Sequence, residues 1–147
     1  MMEKHVFKVK GNWEGGLLGV GAIEADDWET VISTPKQLAG VGNGANPEEL
    51  LIAAAANCYL ATFGAILSNR KIDFSQIEMT SEGIVSKEEK KLTFEKIIHK
   101  PVVTVSNLDE EEKIKQLAER AEKACFISQT LKGNVEVTVE PVLKLNE

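Results

Sequence analysis

Hydrophobic and polar positions alternate in short runs toward both ends of this chain and change to a helical rhythm in two places between them. Residues 6–13, 17–25 and 28–33 are short segments with β-branched and apolar residues, separated by Gly15-Gly16 and Asp26-Asp27. They predict a meander of three antiparallel strands. A loop follows, Gly40-Val41-Gly42-Asn43-Gly44-Ala45, flexible enough to fold over a site. Asn46 then suits a helix N-cap, Pro47 the first helical position, and Glu49 the position three residues after the cap. The apolar run from Leu50 to Leu67, interrupted by Asn57 and Thr62, predicts a long central helix.

Beyond Arg70 the strand rhythm returns. Residues 77–86 and 92–105 are joined by Lys87-Glu88-Glu89-Lys90-Lys91, a solvated hairpin tip. A second helix is predicted over 109–128, with Ile114, Leu117, Ala118, Ala121 and Cys125 on one face. Its acidic first turn, Asp109-Glu110-Glu111-Glu112, complements the positive end of the helix. Residues 134–143 alternate as a last strand. Three strands, a helix, two strands, a helix and a strand make an α+β arrangement, and the runs of strands count against an all-parallel sheet.

A chain of 147 residues without repeats or low-complexity linkers fits one domain, 1–147. Its net charge of −6 argues against binding a phosphate backbone, so no nucleic acid partner is expected. The Leu50–Leu67 run approaches the length that spans a bilayer. Much of it is alanine, however, and aromatic anchors are missing at both ends. A helix buried in the middle of a globular core is therefore preferred, and no membrane partner is expected. Nothing in Met1-Met2-Glu3-Lys4-His5 resembles a signal peptide, which makes a cytoplasmic location the default. There, two cysteines are free or transiently oxidised thiols in preference to a permanent staple.

Those two, Cys58 and Cys125, are the main candidates for chemistry. His5 and His99 stand alone on strand-like segments and read as surface or pairing residues, while Trp13 and Trp28 flank the meander as hydrophobic anchors. Two cysteines without CxxC spacing give only a weak zinc signal. The rhythm of the second helix aims Cys125 at the core, where the helix carrying Cys58 would lie. Thiols on packed helices can reach the separation of roughly 4–7 Å between Cα atoms that a disulfide requires. Two readings stay open from the residues alone: a reactive pair, or two small buried hydrophobes.

Asn46-Pro47-Glu48-Glu49-Leu50, followed by an alanine-rich run to Asn57-Cys58-Tyr59-Leu60, resembles the NPEEL…C signature of the OsmC/Ohr family, the osmotically inducible and organic hydroperoxide resistance proteins. Ser33-Thr34-Pro35-Lys36-Gln37-Leu38 resembles that family's strand-to-loop segment, and Cys125-Phe126-Ile127-Ser128 with Gly133-Asn134-Val135 its second-cysteine motif and closing strand. The resemblance implies an OsmC-like fold with antiparallel sheets, central buried helices and an intertwined homodimer. It implies a thiol peroxidase that reduces organic hydroperoxides, and in some members hydrogen peroxide, with Cys58 as peroxidatic thiol, Cys125 as resolving thiol and Glu48 as functional glutamate. An external dithiol of lipoyl type would restore the reduced state, and the resemblance implies no bound metal or organic cofactor. The apolar residues Leu50, Leu51, Phe63 and Phe126 would favour an alkyl hydroperoxide, or are simply core. An alternative from another class is an OsmC-like redox sensor or small-molecule-binding dimer without efficient turnover.

Two points qualify how such a site would work. Glu48 precedes Cys58 by ten residues, about 15 Å along a straight helix, so it meets the partner subunit's Cys58 or acts as a first-turn carboxylate at the helix N-terminus. Hydroperoxide-reducing members also use an arginine, often just after Gly-Gly, to activate the thiol. Here Gly15-Gly16 is followed by Leu17-Leu18, and the only arginines are Arg70 and Arg120. The second motif has Phe126 where proline is usual. What makes Cys58 a thiolate is thus the open chemical question.

Overall fold

The computed structural model describes residues 2–147, in two compact units that divide between Leu50 and Leu51. The first holds the predicted meander: β1 (Lys10–Glu14), β2 (Val20–Glu24) and β3 (Glu29–Ile32), antiparallel in the order β1-β2-β3. The first strand starts later than the pattern predicts. Residues 2–9 lie outside any strand, and Val6 and Phe7 are 80% and 92% exposed. Trp13 and Trp28 are about half exposed, so neither anchors a core inside this chain.

The loop expected to be flexible is pinned. Ser33 Oγ donates to the Asn43 carbonyl and accepts from the Asn43 amide, both at 2.7 Å, and Ile32 bridges to Ala45. Gly42 and Gly44 hold φ of 67° and 76°, a left-handed region that glycine adopts without steric cost. The cap then forms as the sequence predicts: Asn46 Oδ1 accepts from the Glu49 amide at 2.8 Å.

That cap opens α1 (Pro47–Asn69), which continues into the second unit. By length and composition α1 is apolar enough to cross a membrane, with a mean hydropathy of 1.9. Its burial differs from the all-round burial predicted. Ala55, Tyr59, Phe63 and Leu67, spaced by four, are fully buried, whereas Ala53, Ala54, Asn57, Ala61, Ala65 and Ser68 are exposed. One face is core. The opposite face is a row of small residues.

The second unit builds on β4 (Gln76–Glu88) and β5 (Lys91–Val105), an antiparallel pair with a bulge at Ile84/Val85. Gly83 lets α1 approach this sheet, since a Cβ there would come within 2.5 Å of Ile52 Cδ1. The last predicted strand is divided at Glu140-Pro141 into β6 (Glu136–Val139) and β7 (Val142–Leu145). Both run parallel to β5, which the helical connection from β5 makes possible. Pro101, which has no N–H to offer, falls on β5 between the stretches that pair with β6 and β7.

The pattern predicts one helix over 109–128. The structure makes two, α2 (Glu111–Ala124) and α3 (Phe126–Leu131), because Cys125 is extended, with φ −64° and ψ 121°. The predicted face survives: Ile114, Leu117, Ala118, Ala121 and Cys125 are all buried, in one cluster with Tyr59, Phe63 and Leu67.

His99 differs from its prediction as a surface or pairing residue, being fully buried on β5. Its ring stacks on Tyr59 at 4.9 Å, its Nδ1 lies 2.6 Å from Ser81 Oγ, and its Nε2 is buried without a partner. Burial pushes its pKa down to about 4. An unfolded chain takes up this proton near pH 6.5, so the neutral buried ring favours the native state fully above that pH. The contribution falls as pH drops from 6.5 toward 4, by about 3 kcal/mol in all. Urea unfolding at pH 7.5 and 4.5 should show this loss, and a His99→Gln variant should show a correspondingly weaker pH dependence.

Candidate active site

α1 presents two neighbouring rows. Tyr59 and Phe63 point into the core, and the residue before each, Cys58 and Thr62, stands one step of about 100° around the helix, at the half-buried margin. The break at Cys125 brings the first amides of α3 to that margin. The groups that act on the Cys58 thiol are the amides of Ile127 and Phe126, the Cys125 thiol and the Thr62 hydroxyl. Cys58 is partly exposed and Cys125 fully buried, and both are free thiols.

The two thiols are tuned in opposite directions. For Cys58 burial pushes the pKa up, and the donors outweigh it, Ile127 first and then Cys125, Thr62 and Phe126, leaving the thiol below its ordinary range. For Cys125 burial pushes the pKa up, and acting as donor to Cys58 raises it further. The amide and hydroxyl of Ser128 pull Cys125 partly back. The half-buried thiol is thus shifted toward the thiolate and the fully buried one away from it.

Among the described residues, the groups that lower the Cys58 pKa are uncharged donors. Arg70 and Arg120 are exposed, Arg70 just past the end of α1 and Arg120 on α2, and neither acts on Cys58. The donor at position 126 exists because the residue is phenylalanine, since a proline there would have no N–H. Sequence reasoning missed Thr62 and these amides. The four-residue spacing between Cys58 and Thr62 was a signal for the first, whereas nothing local marks the break that aims the amides.

Glu48 stands in the first turn of α1, about 15 Å of helical rise before Cys58 of its own chain. Its Oε1 is buried without a hydrogen-bond partner. Of the apolar residues proposed to line the site, Phe63 is fully buried core, and Phe126, beside Cys125, is 70% exposed. A cavity of about 800 Å³ is lined by Glu95, Glu122, Ser128, Lys132, Asn134 and Glu136 among others. No group of three or more metal-ligating side chains gathers among the described residues.

Known proteins match this chain along most of its length. The OsmC-like protein family matches residues 40–140. The uncharacterized protein YmaD of Bacillus subtilis is 39% identical over 147 residues, covering 98% of each chain. The organic hydroperoxide resistance protein of Xanthomonas axonopodis pv. citri is 26% identical and covers 93% of this chain and 95% of its own. The solved structure of an OsmC-like protein of unknown function from Vibrio cholerae superposes with a TM-score of 0.79 at 17% identity, covering 95% of this chain and all of its own. With its mixed α+β fold and two cysteine motifs in place, the chain belongs to the OsmC-like family, the family of the OsmC and Ohr proteins.

Proposed function

We propose that this protein is a thiol-dependent peroxidase that reduces organic hydroperoxides to alcohols. What carries this reading is the asymmetry of the pair: a partly exposed Cys58 whose pKa is lowered and a buried Cys125 whose pKa is raised. The Cys58 thiolate attacks the terminal oxygen of ROOH, the O–O bond breaks, and the departing alkoxide takes a proton and leaves as ROH. The Cys58 sulfenic acid then condenses with the Cys125 thiol, forming the disulfide and releasing water. An external dithiol, of lipoyl type by family resemblance, reduces that disulfide by exchange and leaves oxidised.

A homodimer within a cytoplasmic setting completes the reading. The exposed row of small residues on α1 allows close approach of a second helix, and Val6, Phe7, Leu17 and Leu18 leave apolar surface uncovered. In such a dimer the unpaired Glu48 carboxylate would find its partner on the neighbouring subunit, near that subunit's thiol. A second reading, an OsmC-like redox sensor or small-molecule-binding dimer, is favoured by one observation: among the described residues, the groups that act on Cys58 include no cation.

Thiol counting separates the two. Cumene hydroperoxide added to the reduced protein should consume both thiols per chain as one Cys58–Cys125 disulfide, and a lipoyl dithiol should restore them with continued turnover. A stable Cys58 sulfenic acid with both sulfurs unlinked supports the sensor. Unchanged thiols would remove the peroxidase and the sensor and leave a small-molecule-binding dimer or cysteines that are packing residues.

A further inference from the structure

We propose that the cavity walled by α2, α3 and β6 is the docking site of the reducing dithiol, and that the dithiol attacks Cys125 of the oxidised pair, not Cys58. The inference rests on the peroxidase reading, which supplies the disulfide. Cys125 is the corner of an elbow: it closes α2, opens α3 and is fully buried. Both arms of the elbow wall the cavity of about 800 Å³, through Glu122 and Lys123 before the corner and Ser128 and Gln129 after it. The backbone amide of Gln129 donates to the Cys125 carbonyl at 3.0 Å, and its side-chain Nε2 reaches back across the corner to the Lys123 carbonyl at 3.0 Å. Ser128, 6% exposed, is a cavity wall and also the third residue of α3, the position that the side chain of an N-cap residue faces. The corner therefore sets the Cys125 side chain against a small residue of the cavity wall.

Exchange proceeds by attack of a thiolate on one sulfur of the disulfide, and the thiolate approaches opposite the sulfur that leaves. Cys58 belongs to α1, whereas the described walls of the cavity come from α2, α3, β5, β6 and the turn between α3 and β6. A thiolate that reaches Cys125 from the cavity thus comes from the side away from α1, with Cys58 as the leaving group. The volume is that of a small-molecule site, and Val135 and Val137 offer apolar contact to the methylene stem of a dithiol. A bond forms between the dithiol sulfur and Cys125, the Cys58–Cys125 bond breaks, and its electron pair leaves on Cys58. The second thiolate of the dithiol then bonds to the first sulfur and releases Cys125. The two protons that the dithiol gives up pass to Cys58 and Cys125, so a cyclic disulfide departs and both protein thiols return. The directions of the thiol shifts agree, since Cys58, held low, leaves more readily than Cys125, held high.

The test uses the full-length protein oxidised with diamide, so that no peroxide enters. A brief pulse of 2-mercaptoethanol, followed by acid quench and peptic peptide mass, should locate the mixed disulfide on Cys125 with Cys58 free. Glu136→Trp and Asn134→Trp each place a ring in the cavity from an exposed wall residue. Each should slow reduction of the disulfide by dihydrolipoamide about tenfold, through lost positioning, and leave oxidation of the reduced thiols by cumene hydroperoxide at the parental rate. Circular dichroism confirms that the variants are folded, and the adduct is read on the parent protein, which needs no variant. A mixed disulfide on Cys58, alone or in equal share, overturns the inference. So do parental reduction rates in both filled variants, equal slowing of both half-reactions, or a protein in which diamide forms no Cys58–Cys125 disulfide. A protein that passes this test yet is left unoxidised by hydroperoxide would refute the proposed function alone, and a Cys58 adduct in a working peroxidase would refute this inference alone.

Discussion

Serine at position 58 should lower kcat/KM for cumene hydroperoxide by at least about a thousandfold, because a hydroxyl in the same place cannot be made the nucleophile that a thiolate is. Serine at position 125 should act differently. The first turnover proceeds, alcohol is released in a burst of one equivalent, and the cycle stops with Cys58 as a sulfenic acid open to further oxidation. Serine at 125 keeps a hydroxyl that can donate to Cys58, so the burst itself should run at close to the parental rate. Stopped-flow measurement of the burst, with dimedone trapping and intact mass, distinguishes the two variants. The order of the sulfurs follows from access: Cys125 is fully buried and Cys58 is not, so peroxide meets Cys58 first. A Cys58→Ser protein that still consumes hydroperoxide, or a Cys125→Ser protein that cycles with a lipoyl dithiol as the parent does, would reverse or dissolve that order.

Much of this was legible in residue order because it depends on periodicity and caps. Asn46, Pro47 and Glu49 announce the start of α1, and the 114–125 face of α2 reads directly from spacing. The N-terminal meander is legible as to type but not extent, since β1 begins at Lys10 and the apolar residues before it meet nothing in their own chain. Two features resist such reading for a shared reason. Cys125 leaves the helix without a glycine or proline beside it, and His99 is drawn into the core from a strand that alternates like any half-exposed one. Both are tertiary effects, imposed by the packing of α2 and β5 around Tyr59. The open question of what acidifies Cys58 has the same character. Its donors come from a backbone break and from the next turn of its own helix, and neither is a residue type that sequence inspection flags as a source of positive charge.

Tyr59→Ala should destabilise the protein by about 4 kcal/mol and lower its melting temperature by about 12 °C, since the site is fully buried and cannot collapse around the loss of a ring. The ring stacks on His99 at 4.9 Å and meets Phe63 at 5.6 Å, and its hydroxyl donates to the Ala118 carbonyl at 2.8 Å. That last bond ties α1 to α2, the helix that leads into Cys125. Tyr59→Phe keeps the stack and loses only the bond, at about 1 kcal/mol, so the pair of variants separates packing from hydrogen bonding. The consequence extends to the chemistry. Tyr59 fixes the rotation of α1 against the core, and Cys58, one residue earlier, owes its place opposite the α3 amides to that rotation. The phenylalanine variant should therefore retain the acidified thiol, whereas the alanine variant, even where folded, should show Cys58 alkylation shifted toward that of an ordinary cysteine. Urea unfolding and the alkylation profile, measured on the same preparations, check the two effects together, and an alanine variant with parental stability and parental Cys58 reactivity would show that neither the core nor the thiol depends on this ring.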